Sequence, residues 1–123
     1  MKQAVCVILI NGGKILGVSR KDNHSDMGLP GGKVDADDPS VEHAMIREAR
    51  EETGLDIYNL TLIDTRVWGG YHQHCFTAEY RGCIHYDQAT EGVVEWVSAE
   101  RLIAGSFGAY NGGILASLGL TEK

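Results

Sequence analysis

The chain has 123 residues, of which 43% are hydrophobic and 23% charged, with a net charge of −6. That length and composition suit a single soluble α/β-sized domain over 1–123 with one real core. No run or stripe of Lys or Arg accompanies the acidic balance, which excludes a sequence-independent nucleic-acid binder, because neutralising phosphates needs clustered cations.

The apolar run AVCVILI at 4–10 is too short to span a bilayer and reads as a buried strand, within a β-like segment over 3–10. Asn11-Gly12-Gly13 is a hairpin-type turn into a second strand over 14–19. The polar stretch RKDNHSDMG at 20–28 reads as a loop leading into Leu29-Pro30-Gly31-Gly32. A helix follows, with Asp38 as N-cap, Pro39 at the first helical position and Gly54 as the stop. Strands over 57–67, 71–86 and 92–98 come next, then short helices over 98–104 and 111–118. A helix between groups of strands, with another at the end, predicts an α/β fold of mixed layers. Cys6, Cys75 and Cys83 are odd in number and lack CxxC spacing, so they read as reduced thiols of a cytoplasmic protein.

The stretch IREAREETGL, residues 46–55, gathers three glutamates at the end of the first helix. At roughly 100° per residue, Val41, Ala44, Met45, Glu51 and Glu52 all fall within about 60° of Glu48. The apolar stripe and the acidic stripe are therefore one face. Like charges three and four residues apart repel by about 0.2–0.5 kcal/mol per pair, and carboxylates near a helix C-terminus oppose the macrodipole. Arg47 and Arg50 project to the sides of this patch, so each can flank it and neither covers it. A hard divalent cation, Mg²⁺ with Mn²⁺ as a substitute, matches carboxylate oxygens better. An acidic chain can bind polyphosphate in this way, since the metal supplies the positive charge locally. REAREE alone is equally the pattern of a solvated helix, with Arg47 and Glu51 as an i,i+4 pair. The neighbouring Gly31-Gly32 pair tips the balance, because paired glycines let backbone approach a ligand. Lys33 does not make it a P-loop, whose GxxxxGK[ST] spacing is absent.

Read together, GLPGGKVDADDPSVEHAMIREAREETGL resembles the Nudix box of the Nudix hydrolases, G-x5-E-x7-R-E-U-x-E-E-x-G-U with U a bulky apolar residue. Gly32, Arg47, Glu48, Glu51, Glu52, Gly54 and Leu55 match in identity. Asp37 or Asp38 stands where the family has its first glutamate, Gly32 to Arg47 is one residue longer, and Ala49 replaces a larger apolar residue.

The resemblance implies a Nudix-type α/β/α sandwich with a mixed sheet. It also implies metal-dependent hydrolysis of a phosphoanhydride in a nucleoside diphosphate linked to another moiety. Carried over by position, Glu51 and Glu52 ligate metal together with the Gly31 carbonyl. Glu48 is general base or added ligand, and Arg47 orients the glutamates. A later carboxylate, Glu91 or Glu95, completes the metal set, with Glu91 the better loop position. Arg20 and Lys21 stand where relatives hold phosphates, and Gly32 borders the substrate. Asn111 starts the last helix either as its cap or as the base-reading asparagine of purine-selective relatives. Small size points to nucleoside triphosphate pyrophosphohydrolases of the MutT kind. Tyr71, about 16 residues after the box, marks some diadenosine-polyphosphate hydrolases, and Gly69-Gly70 replaces the proline of many ADP-ribose hydrolases.

Other classes remain to be compared. A non-catalytic nucleotide-sensing domain typically loses the helix glutamates that this chain keeps. His72, His74 and Cys75 raise a zinc site, but no second ligand pair at finger or ribbon spacing follows. RNA decapping fits poorly with the acidic charge. The expected partner is a small nucleotide, with no nucleic acid, no membrane and a possible homodimer.

Overall fold

A computed structural model describes residues 2–84 and 93–119. In chain order its elements are β1 (Lys2–Ile8), β2 (Ile10–Asn11), β3 (Lys14–Arg20), β4 (Asn23–Gly28), β5 (Gly31–Lys33), α1 (Val41–Thr53), β6 (Asp56–Trp68), β7 (Tyr71–Arg81), β8 (Val94–Val97), α2 (Ala99–Ile103) and α3 (Gly108–Ser117). The chain divides into two compact units, Met1–Leu9 with Pro30–His85, and Ile10–Leu29 with Tyr86–Lys123.

The first unit holds a mixed four-stranded sheet in the order β5-β1-β7-β6. β1 runs parallel to β7 and antiparallel to β5, while β6 and β7 form a long antiparallel hairpin. Being central explains the unbroken apolar run of β1: Ala4 to Ile8 are all buried, because strands covered on both faces need no polar alternation. Helix α1 packs on β1, β5 and β6 and buries Ala44, Met45, Ala49 and Thr53. Leu55, Ile57 and Phe76 complete this core. Burying each large apolar side chain contributes about 1.5–3 kcal/mol.

The second unit is built on β3, which pairs antiparallel with β2, β4 and β8. Asn11 pairs with Lys14, so Gly12 and Gly13 are a two-residue turn with φ of 61° and 81°, the left-handed values that a tight hairpin demands. Ile15, Leu16, Met27, Val94, Val97, Leu102, Ile114 and Leu115 form the core of this unit.

The α/β class and mixed sheet agree with the sequence reading, and four local expectations are corrected. The strand expected over 71–86 ends at Arg81, and residues 85 and 86 lie outside the described residues. Residues 23–28 are a strand, not a loop. They pair with β3 through backbone around a bulge at Ser19/Arg20, and only Met27 is buried, so no apolar alternation announces them. Ser40, not Asp38, caps α1: its extended backbone (φ −158°, ψ 166°) lets its hydroxyl accept from the His43 N–H at 3.1 Å. Pro39 therefore precedes the helix. The last helix begins at Gly108, three residues before Asn111. No helix among the described residues is long and apolar enough to cross a membrane.

Candidate active site

Helix α1 is stopped by Gly54, in the left-handed conformation at φ 80°, whose N–H returns to the Arg50 carbonyl. Its buried residues Ala44, Met45 and Ala49 set the side of the helix that meets the sheet, and Glu48 and Glu52 follow on that side. Glu48 lies over β5. A Cβ built on Gly32 would land on the Glu48 carboxylate, and one on Gly31 would land on the Val5 carbonyl of β1. The glycine pair is thus required by close approach on both sides.

Glu52 accepts from the Gly31 N–H at 2.9 Å. Hydrogen bonds from Val7 N to the Pro30 carbonyl and from Val34 N to the Gln3 carbonyl put Gly31 at a non-hydrogen-bonded position of the β1–β5 ladder. Its N–H and carbonyl are therefore turned away from β1, toward the glutamate side. Burial pushes the Glu48 carboxyl up, while the Arg47 guanidinium opposes this and the neighbouring Glu51 charge adds to it.

Arg47 is the hub of the cluster. Its Nη1 reaches Glu48 Oε2 at 3.4 Å and Glu51 Oε1 at 3.3 Å, so its long side chain comes closer to the acidic face than the helical projection suggested. Arg47 Nε donates to Asp38 Oδ1 at 3.0 Å and Nη2 to Asp38 Oδ2 at 2.8 Å, a two-pronged pair. This contact holds the Asp38 carboxyl well below the usual carboxylate range, and in turn raises the Arg47 guanidinium. Arg50 does not join; it bonds Asp56 at 2.8 Å.

Of Asp37 and Asp38, then, Asp38 is the one that takes part. His43 and Asp35 were not anticipated. His43 Nδ1 lies 3.3 Å from Asp38 Oδ1, and the Asp35 N–H donates to Asp38 Oδ2 at 2.8 Å. The i,i+4 spacing of His43 and Arg47 on one helix was the available signal.

The donor chemistry of this face, carboxylates beside a peptide carbonyl, fits a hard divalent cation. As arranged, no three His, Cys, Asp or Glu side chains among the described residues are gathered closely enough to hold one. Arg47 draws Glu48 and Glu51 to one side, and Glu52 is turned to Gly31, so binding a cation would require them to swing toward it.

The remaining candidates are more scattered. Tyr71 opens β7, with the Lys33 ammonium 5.7 Å from its ring centroid. In the second unit Arg20 ends β3, where its Nε donates to Asp22 at 3.1 Å, and Lys21 follows in the turn. Glu95, on β8, is half exposed with Arg101 3.8 Å away. Glu91 lies outside the described residues. Asn111 neither caps α3 nor stands open to a base. It is 1% exposed, and its Nδ2 donates to the Leu102 carbonyl at 3.2 Å, tying α3 to α2.

His72 and His74 share one face of β7, and Cys75 points to the other. The His74 ring nitrogens lie 2.8 Å from Gln3 Oε1 and 3.2 Å from Thr65 Oγ1. Cys75 is fully buried opposite Cys6, and that thiol's hydrogen bond, with burial, pushes the Cys75 thiol up.

The profile of the NUDIX domain matches residues 1–116. The chain belongs to the Nudix hydrolase family. It is accordingly an enzyme of that family, and solved structures share its fold. One is an ADP-ribose pyrophosphatase from Streptococcus suis, 20% identical over 99% of this chain and 94% of that one, with a TM-score of 0.78. A MutT protein from Bacillus halodurans is 22% identical over 99% and 84%, also with a TM-score of 0.78. A MutT Nudix hydrolase from Burkholderia pseudomallei is 26% identical over 80% and 84%, with a TM-score of 0.64. No curated protein matches the sequence. Arg47, Glu48, Glu51 and Glu52 of the box stretch lie on α1, and Asp38 lies on the loop before that helix.

Proposed function

We propose that this Nudix hydrolase is a Mg²⁺-dependent pyrophosphohydrolase of nucleoside or deoxynucleoside triphosphates, giving the monophosphate and pyrophosphate. The observation that carries the reading is the acidic face of α1 laid against Gly31-Gly32, with Arg47 gripping its edge. MutT proteins among the similar structures lend it support. Residues 1–123 act in this reading as one working domain, which the family profile over 1–116 supports.

Glu51, Glu52 and the Gly31 carbonyl would hold the metal, and Glu91 is retained as a further ligand. When bound, the metal supplies positive charge to the polyphosphate and lowers the pKa of attacking water. Glu48, whose burial favours its protonated form, is suited to accept a proton from that water once a cation nearby stabilises its charge. Arg47 holds Glu48 and Glu51 in register. Gly32 leaves space over which the Glu48 carboxylate can lie. Arg20 and Lys21 are the candidate phosphate contacts.

A second reading, dinucleoside polyphosphate hydrolysis, is favoured by Tyr71 at the start of β7 under the Lys33 ammonium. The two are separated by incubating the protein with nucleoside triphosphates, diadenosine polyphosphates and ADP-ribose, in Mg²⁺ or EDTA, and resolving the products. Mg²⁺-dependent release of monophosphate and pyrophosphate from a triphosphate is expected. Turnover confined to diadenosine polyphosphate or ADP-ribose would replace the substrate assignment. Lack of turnover for the whole panel in Mg²⁺ or Mn²⁺ would overturn it.

A further inference from the structure

We infer that the short side chain of Asp38 and the extra residue before the helix are matched halves of one adjustment, which together keep the carboxylate seated on Arg47. This rests on the reading of α1 as the reactive face. Five residues separate Gly32 from Asp38, as in the family pattern, but eight rather than seven separate Asp38 from Arg47. The extra residue therefore lies after Asp38, and Pro39-Ser40 is the only stretch there that precedes the helix.

The geometry shows why the two departures belong together. The Asp38 side chain is only 2% exposed, against 64% for Asp35, so it is closed off from solvent by its partners. Each of its oxygens already has two partners: Oδ1 faces Arg47 Nε and His43 Nδ1, and Oδ2 faces Arg47 Nη2 and the Asp35 N–H. A further hydrogen bond, from the Asp38 N–H to the Asp35 carbonyl at 3.0 Å, fixes the loop from which the side chain projects. One added methylene would carry the carboxylate about 1.5 Å too far for these four partners. Removing one residue from the connection would instead withdraw the backbone by up to about 3.5 Å, leaving aspartate too short. Doing both restores the family spacing with the longer side chain. Neither change alone does so.

The test is a cycle of Asp38→Glu, deletion of Pro39, and the two combined. It is read by kcat and KM on the nucleotide found active, by Mn²⁺ affinity from the signal of free ion, and by melting temperature without metal. Each single change is expected to lower kcat and Mn²⁺ affinity about 10–100-fold, the usual effect of losing a group that orients a site from behind. KM is expected to move less than kcat, because Arg47 acts on the reacting groups rather than on binding. The combined variant should recover most of each loss, and its melting temperature should exceed that of either single variant. Additive losses, or an Asp38→Glu variant as active as the parent, would overturn the inference. Should the parent prove inactive, the hydrolase assignment fails separately, while recovery or additivity in Mn²⁺ affinity and melting still decides the pairing. Should the deletion not fold, Asp38→Asn, which keeps shape and loop length, is expected to lower kcat by a similar factor; an unchanged kcat would overturn the proposal.

Discussion

Helices α1 and α3 both carry polar residues that the sequence nominates for function, and they treat them in opposite ways. In α1, Glu48 and Glu51 stand three residues apart and share one guanidinium, and Glu48 is partly buried against Gly32 with its carboxyl pushed up. In α3, Asn111 is fully buried and its amide donates to a backbone carbonyl within the same unit. A polar residue whose burial is balanced by local hydrogen bonding acts as structure. Carboxylates brought together against charge repulsion, and against the helix dipole, are where the proposed cation would bind.

This contrast can be broken by mutation. The largest effect is expected from Glu51→Gln/Glu52→Gln: turnover should fall by about 10²-fold or more, with little change in melting temperature because relief of like-charge repulsion offsets the weakened Arg47–Glu51 and Gly31–Glu52 contacts. Circular dichroism melting beside steady-state kinetics checks both halves. Gly32→Ala should follow, since its Cβ falls on the Glu48 carboxylate; a loss of about 10-fold or more in kcat is expected, measured with protein confirmed as folded. Asn111→Ala should show the reverse pattern. Urea unfolding should reveal a loss of about 1–3 kcal/mol as the Leu102 carbonyl loses its donor, with kcat of the folded protein unchanged. The smallest effect concerns pH. Asp38 is held below its ordinary range by Arg47, so it favours the folded state above the unfolded pKa of about 4, and this is lost as pH falls further. The melting-temperature gap between parent and Asp38→Asn should be steady from neutrality to about pH 5 and narrow below about pH 4.

Much of α1 was legible in advance because a helical face follows from spacing alone. Ala44, Met45, Glu48 and Glu52 fall together for the same geometric reason in the sequence and in the structure. Gly31-Gly32 was recognisable as a close approach, although what approaches them, Val5 on one side and Glu48 on the other, depends on the ladder between β1 and β5. The N-cap was misplaced because Asp38 and Ser40 are both good caps. Only the folded loop shows that Asp38 is committed to Arg47 and leaves the cap to Ser40. Strand β4 escaped notice because it pairs through its backbone while most of its side chains are polar and outside the core. The early start of α3 was hidden for another reason: Gly108 is helical yet a poor helix former, and Phe107 caps the helix with no side-chain hydrogen bond.

The most direct test of the acidic face is a Mn²⁺ titration without nucleotide, following the free ion by electron paramagnetic resonance, on the parent and on Glu51→Gln/Glu52→Gln. Saturable binding by the parent, weakened at least about 10-fold in the variant, is the predicted result. Equal affinity in the two proteins would contradict it and place the metal elsewhere.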